Sequence, residues 1–144
     1  MRLAAAVLFA AAGGLLAGCA GPRAGATDAG AKPPNPTSSL PPVDLTRYAG
    51  RWYELGRYEA FFQRGCEAST AVYTPLPDGR IKVVNSCRKG GLDGPLDSVE
   101  GVASVVPGSN GAKLKVSFFG PFTGDYWVLD HARDYSWSIV GDGS

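Results

Sequence analysis

Apolar and polar residues alternate in short runs along residues 43–144, and no stretch there shows a helical apolar repeat. The runs are rich in Tyr, Val, Phe and Trp, and turn residues separate them at near-regular intervals. Seven strands are predicted: Arg51–Tyr58, Ser69–Thr74, Ile81–Asn85, Ser98–Val106, Lys113–Phe119, Asp125–Leu129 and Tyr135–Val140. The pattern therefore predicts an all-β domain, either a sandwich or a barrel.

The turns between these strands are short. Segments 75–79 and 107–111 both place Pro early and Gly or Asn-Gly late, where a turn needs a fixed or a positive φ. Adjacent strands are therefore expected to pair as antiparallel hairpins. Alternation along one strand puts Leu114, Val116 and Phe118 on a single face, and its polar residues lie on the other, wet face.

The same test fixes a register for the second and third strands. It places Ile81 and Val83 on the inner face, and pairing them with Tyr73 and Ala71, respectively, gives one consistently apolar side.

The N-terminus is typical of a secretory signal. Arg2 is followed by the apolar stretch Leu3–Leu16, which is shorter than the roughly 20 residues that a transmembrane anchor needs. The segment ends in Leu-Ala-Gly-Cys19, which resembles the lipobox of bacterial lipoproteins. That resemblance implies removal of residues 1–18 and acylation of Cys19 with lipid chains such as palmitate. Ordinary secretion, with Cys19 as a spare thiol, is the alternative.

Composition then divides the chain after the signal. Residues 19–42 contain Gly, Ala, Pro, Thr and Ser with almost no large apolar side chains, which predicts a disordered tether. Residues 43–144 form the predicted domain. Without residues 1–18 the chain has 13 basic and 13 acidic residues, since Arg2 is the charged residue lost. A neutral chain without a Lys/Arg cluster is not expected to bind nucleic acid.

Several motifs in the predicted domain resemble those of the lipocalins, particularly the bacterial branch that is also similar to apolipoprotein D. Gly50, Trp52 and Tyr53 carry the G-x-W signature of the family at the start of the first strand. The block at residues 114–122 is very similar to bacterial lipocalins, and residues 126–135 occupy the place of the second family motif. The resemblance covers nearly everything after Val43.

The resemblance implies an up-and-down antiparallel barrel with a cavity for one small apolar ligand, such as a fatty acid or lysophospholipid. It implies a binding or transport protein of the outer membrane, with the barrel in the periplasm, and neither an enzyme nor a cofactor. Ala20, rather than Asp, follows Cys19 and favours outer-membrane sorting. The candidate ligand-binding residues are Glu54, Tyr58, Tyr73, Val83, Leu114, Val116, Phe118 and Tyr126.

For these residues a purely structural role is the alternative. Trp52 is expected to plug the closed end of the barrel as core. An inward Glu54 is costly unless it is paired, so pairing with a Tyr or Arg is preferred to ligand contact. The segments 60–65 and 119–122 are both expected at the open end, where their aromatic residues would meet ligand or membrane, or pack on each other.

The two cysteines of the predicted domain lie at the same end of one hairpin. The predicted register places Cys87 opposite Glu67, next to Cys66, so a disulfide is expected in an exported protein. The alternative is a free Cys66 acting as the nucleophile of a lipid isomerase, as in a few lipocalins. The single histidine, His131, is expected in a surface turn at the opposite end, and no metal site is predicted.

The chain departs from the family after its seventh strand, where lipocalins continue into an eighth strand with an arginine and then a helix. Without that strand we expect two unpaired edges, an uncovered Trp52, and a less stable, more aggregation-prone chain. Three explanations remain open: an incomplete gene product, a strand supplied by another chain, or a rearranged seven-stranded barrel. The competing function is a non-binding interaction lipoprotein that pairs through this edge with a partner strand or as a dimer.

Overall fold

The computed structural model describes residues 3–6, 40–58 and 63–142. Eight strands and one short helix follow in chain order: β1 Leu3–Ala6, α1 Leu45–Tyr48, β2 Gly50–Glu54, β3 Cys66–Pro75, β4 Ile81–Lys89, β5 Leu96–Val105, β6 Lys113–Phe119, β7 Phe122–His131 and β8 Trp137–Gly141. Strands β2 to β8 each pair with the next in antiparallel fashion. The predicted all-β, up-and-down architecture is therefore confirmed.

The first predicted strand is shorter than expected. Strand β2 ends at Glu54 instead of continuing to Tyr58. Past that point Arg57 turns back and donates hydrogen bonds to the backbone carbonyls of Gln63 and Cys66, at 3.2 and 2.9 Å. These bonds hold the segment as a loop across the barrel end, so it cannot continue the β-ladder.

A single helical turn, α1, precedes β2, where the sequence showed no helical apolar repeat. The carboxylate of Asp44 caps it by accepting hydrogen bonds from the backbone N–H groups of Thr46 and Arg47. Tyr48 at its end is buried. A helix of four residues is too short to show an apolar periodicity, which is why the pattern did not predict it.

The expected unpaired edges are covered while residues 3–6 are part of the chain, and they stay a prediction for a chain from which residues 1–18 have been removed. Strand β1 lies between β2 and β8, runs parallel to both, and closes the ring. Free N–H and C=O groups along two facing strands can be satisfied by any extended segment of sufficient length. The closing residues come from the segment predicted to be a cleaved signal.

The predicted register of β3 and β4 is wrong by two residues. Tyr73 pairs with Val83 and Pro75 pairs with Ile81, whereas the prediction paired Ile81 with Tyr73 and Val83 with Ala71. The hairpin is tighter than expected because the ladder continues up to Pro75. A shift of two preserves the side-chain faces, so the inward assignment of these residues stands.

The hydrophobic core lies inside the barrel, among the inward-facing side chains. On β6 the predicted alternation is present, since Leu114 and Val116 are buried while Lys115 is exposed. The core cluster consists of Val43, Tyr48, Trp52, Tyr73, Ile81, Val83, Ala103, Ala112, Leu114, Val116, Tyr126, Val128, Tyr135 and Val140. Leu40 packs against this cluster, three residues before the predicted start of the domain.

The two ends of the barrel differ. Helix α1 and the β5–β6 turn lie at one end, where the Val43 N–H donates to the carbonyl of Asn110 at 2.9 Å. We call this the closed end. The β2–β3, β4–β5 and β6–β7 connections lie at the other, which we call the open end. Segment 119–122 is at the open end as predicted, and residues 60–62 of segment 60–65 lie outside the described residues.

Candidate functional site

A cavity of about 240 Å³ occupies the barrel above its floor. Six of the eight candidate ligand-binding residues line it: Glu54, Tyr73, Val83, Val116, Phe118 and Tyr126. The other two, Tyr58 and Leu114, do not line it. Tyr58 lies beyond the end of β2 and is 69% exposed, and Leu114 is buried in the core outside the cavity wall.

Trp52 forms part of the cavity floor. Its indole N–H donates to the carbonyl of Tyr48 at 2.7 Å, and its ring stacks on that of Tyr48 with centroids 4.6 Å apart. It is buried in the core cluster and also lines the cavity. Helix α1 thus supplies a cover for the tryptophan, so the expected uncovered Trp52 is a second correction.

A hydrogen-bonded chain of side chains, which we call the tyrosine network, consists of Tyr48, Tyr73, Tyr126 and Ser138. The Tyr126 hydroxyl lies 2.8 Å from both the Tyr73 and the Tyr48 hydroxyls. The Tyr48 hydroxyl also lies 3.0 Å from Oγ of Ser138. All four residues are buried, and four different elements contribute them. The network joins α1, β3, β7 and β8 at the base of the cavity.

Burial raises the pKa of each tyrosine in this network above the ordinary value for the residue. For Tyr126 the neighbouring phenols of Tyr48 and Tyr73 raise the pKa further. For Tyr48 the hydrogen bonds with Ser138 and Tyr126 partly oppose the effect of burial on the pKa. These hydroxyls therefore stay protonated at physiological pH and present neutral polar groups to the cavity floor.

The mouth of the cavity carries a buried ion pair. Glu54 accepts a hydrogen bond from the guanidinium of Arg57, and both side chains are mostly shielded from solvent. The structure thus pairs Glu54 with an arginine, as the structural alternative proposed. Nε of Arg57 and Oε1 of Gln63 are also buried here, and neither has a hydrogen-bond partner among the described residues.

The upper wall of the cavity is polar, a feature that the search for apolar lining residues missed. Asn85, Cys87 and Lys89 follow Val83 at every second position of β4 and line the same face. Ser98 and Asp97 line the facing part of β5. The signal was available in the sequence, because the alternation that starts at Val83 continues into polar residues toward the open end.

Cys66 and Cys87 form a disulfide at the open end, as predicted, with their Cα atoms 5.3 Å apart. A β-bulge between Glu67 and Thr70 brings Cys66 into reach, in place of the predicted pairing of Glu67 with Cys87. The bonded sulfur of Cys66 carries no thiolate. The isomerase alternative therefore loses the nucleophile on which it depended.

His131 lies at the closed end, opposite the disulfide, as predicted. Its ring nitrogens lie 2.9 Å from the carbonyl of Ala132 and 3.0 Å from that of Pro42, and its ring stacks on Tyr135. The contact between the His131 ring and the carbonyl of Pro42 holds the segment before α1 at the end of β7. Within the part of the chain that the structure describes, no cluster of His, Cys, Asp or Glu is arranged to hold a metal ion.

Two further observations concern the membrane. Cys19 and most of the predicted tether lie outside the described residues. Among the residues that are described, no helix has the length and apolar character needed to cross a bilayer.

A ring of antiparallel strands around an apolar cavity with a polar mouth defines the class of small β-barrel binding proteins. Residues 43–144 match the family described as the lipocalin-like domain, and the chain belongs to the lipocalin family, as the motifs indicated.

Curated relatives support the same assignment. The chain is 36% identical to the outer membrane lipoprotein Blc of Escherichia coli strain K12 over 140 residues, which are 97% of this chain and 73% of that protein. It is 42% identical to Blc of Vibrio cholerae over 108 residues, 71% of this chain and 61% of that one. It is 39% identical to apolipoprotein D of Rattus norvegicus over 106 residues, 69% of this chain and 53% of that protein.

Proposed function

We propose that this chain binds and carries an amphiphilic lipid, a fatty acid or a lysophospholipid, in the bacterial cell envelope. The observation that carries the proposal is the division of the cavity. Its lower part is mostly apolar apart from the neutral tyrosine hydroxyls of the floor, with Trp52, Val83, Val116 and Phe118, and its upper wall is polar. An acyl chain fits the lower part, and a polar headgroup fits the upper part.

The electrostatics of the mouth support a neutral or zwitterionic headgroup. Glu54 is neutralised by Arg57, and Lys89 lies 3.7 Å from the carboxylate of Asp97. A headgroup that donates a hydrogen bond would satisfy the buried Oε1 of Gln63, which lines the cavity.

The proposed location is the outer membrane, with the barrel held in the periplasm by a lipid on Cys19. The relatives named outer membrane lipoprotein Blc, together with the Leu-Ala-Gly-Cys motif, support it. Metabolic labelling with a radioactive fatty acid tests the anchor. Label in the parent chain and none in Cys19→Ser is expected, and label in both would exclude acylation at this residue.

Ligand binding is tested by filling the cavity. Ala71 lines it, and Val72, the next residue on β3, does not. We expect native mass spectrometry of the parent protein, purified from a bacterial host, to show bound lipid. Ala71→Trp should lose this lipid, and the matched control Val72→Trp should keep it. An empty parent chain bound to a partner protein would contradict the proposal and support the interaction alternative.

A further inference from the structure

Five exposed apolar side chains surround the mouth of the cavity, and we call them the apolar rim. They are Leu55 after β2, Leu92 in the β4–β5 turn, Leu96 at the start of β5, and Phe119 and Phe122 at the β6–β7 turn. Each is between 61% and 79% exposed. Contiguous apolar surface of this kind on a folded protein marks a site of interaction.

The exposed apolar surface is concentrated at this end. Apart from the rim and Tyr58, the large exposed apolar residues in the described part of the chain are Tyr53, Trp137 and Ile139, which lie on the outer wall of β2 and β8. At the closed end, Trp137 at the start of β8 is the one large apolar residue of the described chain that is exposed, at 42%. A surface evolved only for solubility would not favour one end in this way.

The two phenylalanines are held in place by a tight turn. Phe119 pairs with Phe122 across the β6–β7 ladder, and the Ser117 hydroxyl donates to the carbonyl of Gly120 at 2.8 Å. Gly120 has a φ of +57°, which a residue with a side chain would adopt only at a cost. The turn therefore fixes the backbone of both residues at the open end, where both rings are exposed.

Among the described residues outside the Glu54–Arg57 ion pair, the charges around the rim balance. Arg64, Arg88 and Lys89 lie at the open end, and so do three acidic residues, Glu67, Asp93 and Asp97. Such a surface has no net attraction to an anionic partner. It suits a zwitterionic surface that offers apolar depth beneath its headgroups, which is the character of a phospholipid bilayer.

From these observations we propose that the apolar rim inserts into a zwitterionic phospholipid bilayer, so that the cavity opens directly onto the lipid surface. The inference deepens the proposed lipid-binding function and rests on it. An amphiphile could then pass between bilayer and cavity without exposing its acyl chain to water, which is unfavourable for every methylene group.

The chain outside the barrel is long enough to permit this orientation. The tether reaches the barrel at the closed end, where Leu40 packs on the core. Leu40 follows Cys19 by 21 positions (40 − 19), and an extended chain of that length spans at most about 70 Å. A lipid on Cys19 would therefore leave the open end free to turn toward the same membrane.

The first test measures which end of the barrel enters the bilayer. Phe119→Trp and, as matched control, Arg80→Trp at the exposed closed-end turn are prepared as lipidated mature chains in phosphatidylcholine vesicles that contain brominated lipid. We expect bromine to quench the fluorescence that Phe119→Trp adds and to leave the fluorescence that Arg80→Trp adds unchanged. The quenching should be the same at low and high salt and should not increase with anionic lipid.

Two results would overturn the proposal. One is equal quenching in both variants. The other is a blue shift of the fluorescence in Phe119→Trp that depends on protein density without quenching by lipid, which would show that a second copy of the chain covers the rim.

The second test separates docking from ligand binding. Phe119→Ser/Phe122→Ser should slow the uptake of a fluorescent fatty acid from vesicles by about tenfold or more, and should bind the same probe as tightly as the parent when it is delivered from ethanol. Unchanged uptake from vesicles would refute docking. If lipid quenches the Phe119→Trp variant but the parent chain binds no probe from either source, the lipid-carrier function is refuted and docking stays intact.

Discussion

Tyr126 is the centre of the tyrosine network, and its replacement by Phe tests whether hydrogen bonds hold the base of the barrel together. The substitution leaves the Tyr73 hydroxyl buried with no partner, whereas Tyr48 keeps its bond to Ser138. An orphaned buried hydroxyl costs about 1–3 kcal/mol, and the lost bond to Tyr48 adds about 1 kcal/mol. We therefore expect Tyr126→Phe to lower the free energy of unfolding by about 3 kcal/mol.

Replacing Tyr73 instead should be milder. Tyr73→Phe removes one hydroxyl and one hydrogen bond, and Tyr126 keeps its bond to Tyr48. The expected cost is about 1 kcal/mol. In the double variant Tyr73→Phe/Tyr126→Phe no hydroxyl is orphaned at position 73. We therefore expect the double variant to be more stable than Tyr126→Phe by about 1 kcal/mol, a strongly non-additive result.

Urea unfolding of the oxidised protein, followed by tryptophan fluorescence, measures all four members of this cycle. The slopes of unfolding free energy against urea should agree, because none of the substitutions changes the surface exposed. The reasoning is refuted if Tyr73→Phe costs as much as Tyr126→Phe, or if the double variant costs the sum of the two. Either result would show that packing of the rings, rather than the hydroxyl network, determines stability.

Three further predictions concern stability. Because burial raises the pKa values of the network tyrosines, the folded state holds protons that the unfolded chain releases above about pH 10, so unfolding free energy should fall as pH rises past that value in an alkaline titration. Gly111→Ala should lower the free energy of unfolding by about 2 kcal/mol or more, since φ is +79° and a Cβ would lie 2.3 Å from the Val43 carbonyl oxygen. The control is Gly108→Ala, where φ is +77° and the space is open, so that it measures the backbone strain alone. Reduction of Cys66–Cys87, which closes a sequence separation of 21 residues, should lower stability by about 3 kcal/mol, and a thermal midpoint unchanged by reductant would contradict this.

Much of the barrel follows from local pattern. Alternation along β6 separates Leu114 and Val116 from Lys115, and this depends on side-chain direction in a strand, which is a property of the backbone at each residue. The turn residues indicated the antiparallel connections for the same reason, since φ preferences act within two or three residues. The fold class, the inward faces and the family were therefore readable from the sequence.

Features that depend on distant residues were not readable. The register of β3 against β4 changed by two residues, because any even shift satisfies the same alternation and the hairpin geometry decides between them. Arg57 was placed on a strand, yet it ends as a loop residue bound to the carbonyl of Cys66, which lies nine residues away. The hydrogen-bond partners of a long polar side chain are determined only when the chain has folded around it.

Local sequence was thus enough to establish which residues face the barrel interior and which cysteines could bond, because both follow from alternation and spacing along the chain. The contacts that those residues make were determined only by the folded barrel. Folding joined Tyr48, Tyr73 and Tyr126 from three separate elements into one network, and it gathered Leu92 and Phe119 at one open rim. Those groupings depend on strand order and loop direction in three dimensions, which no local pattern encodes.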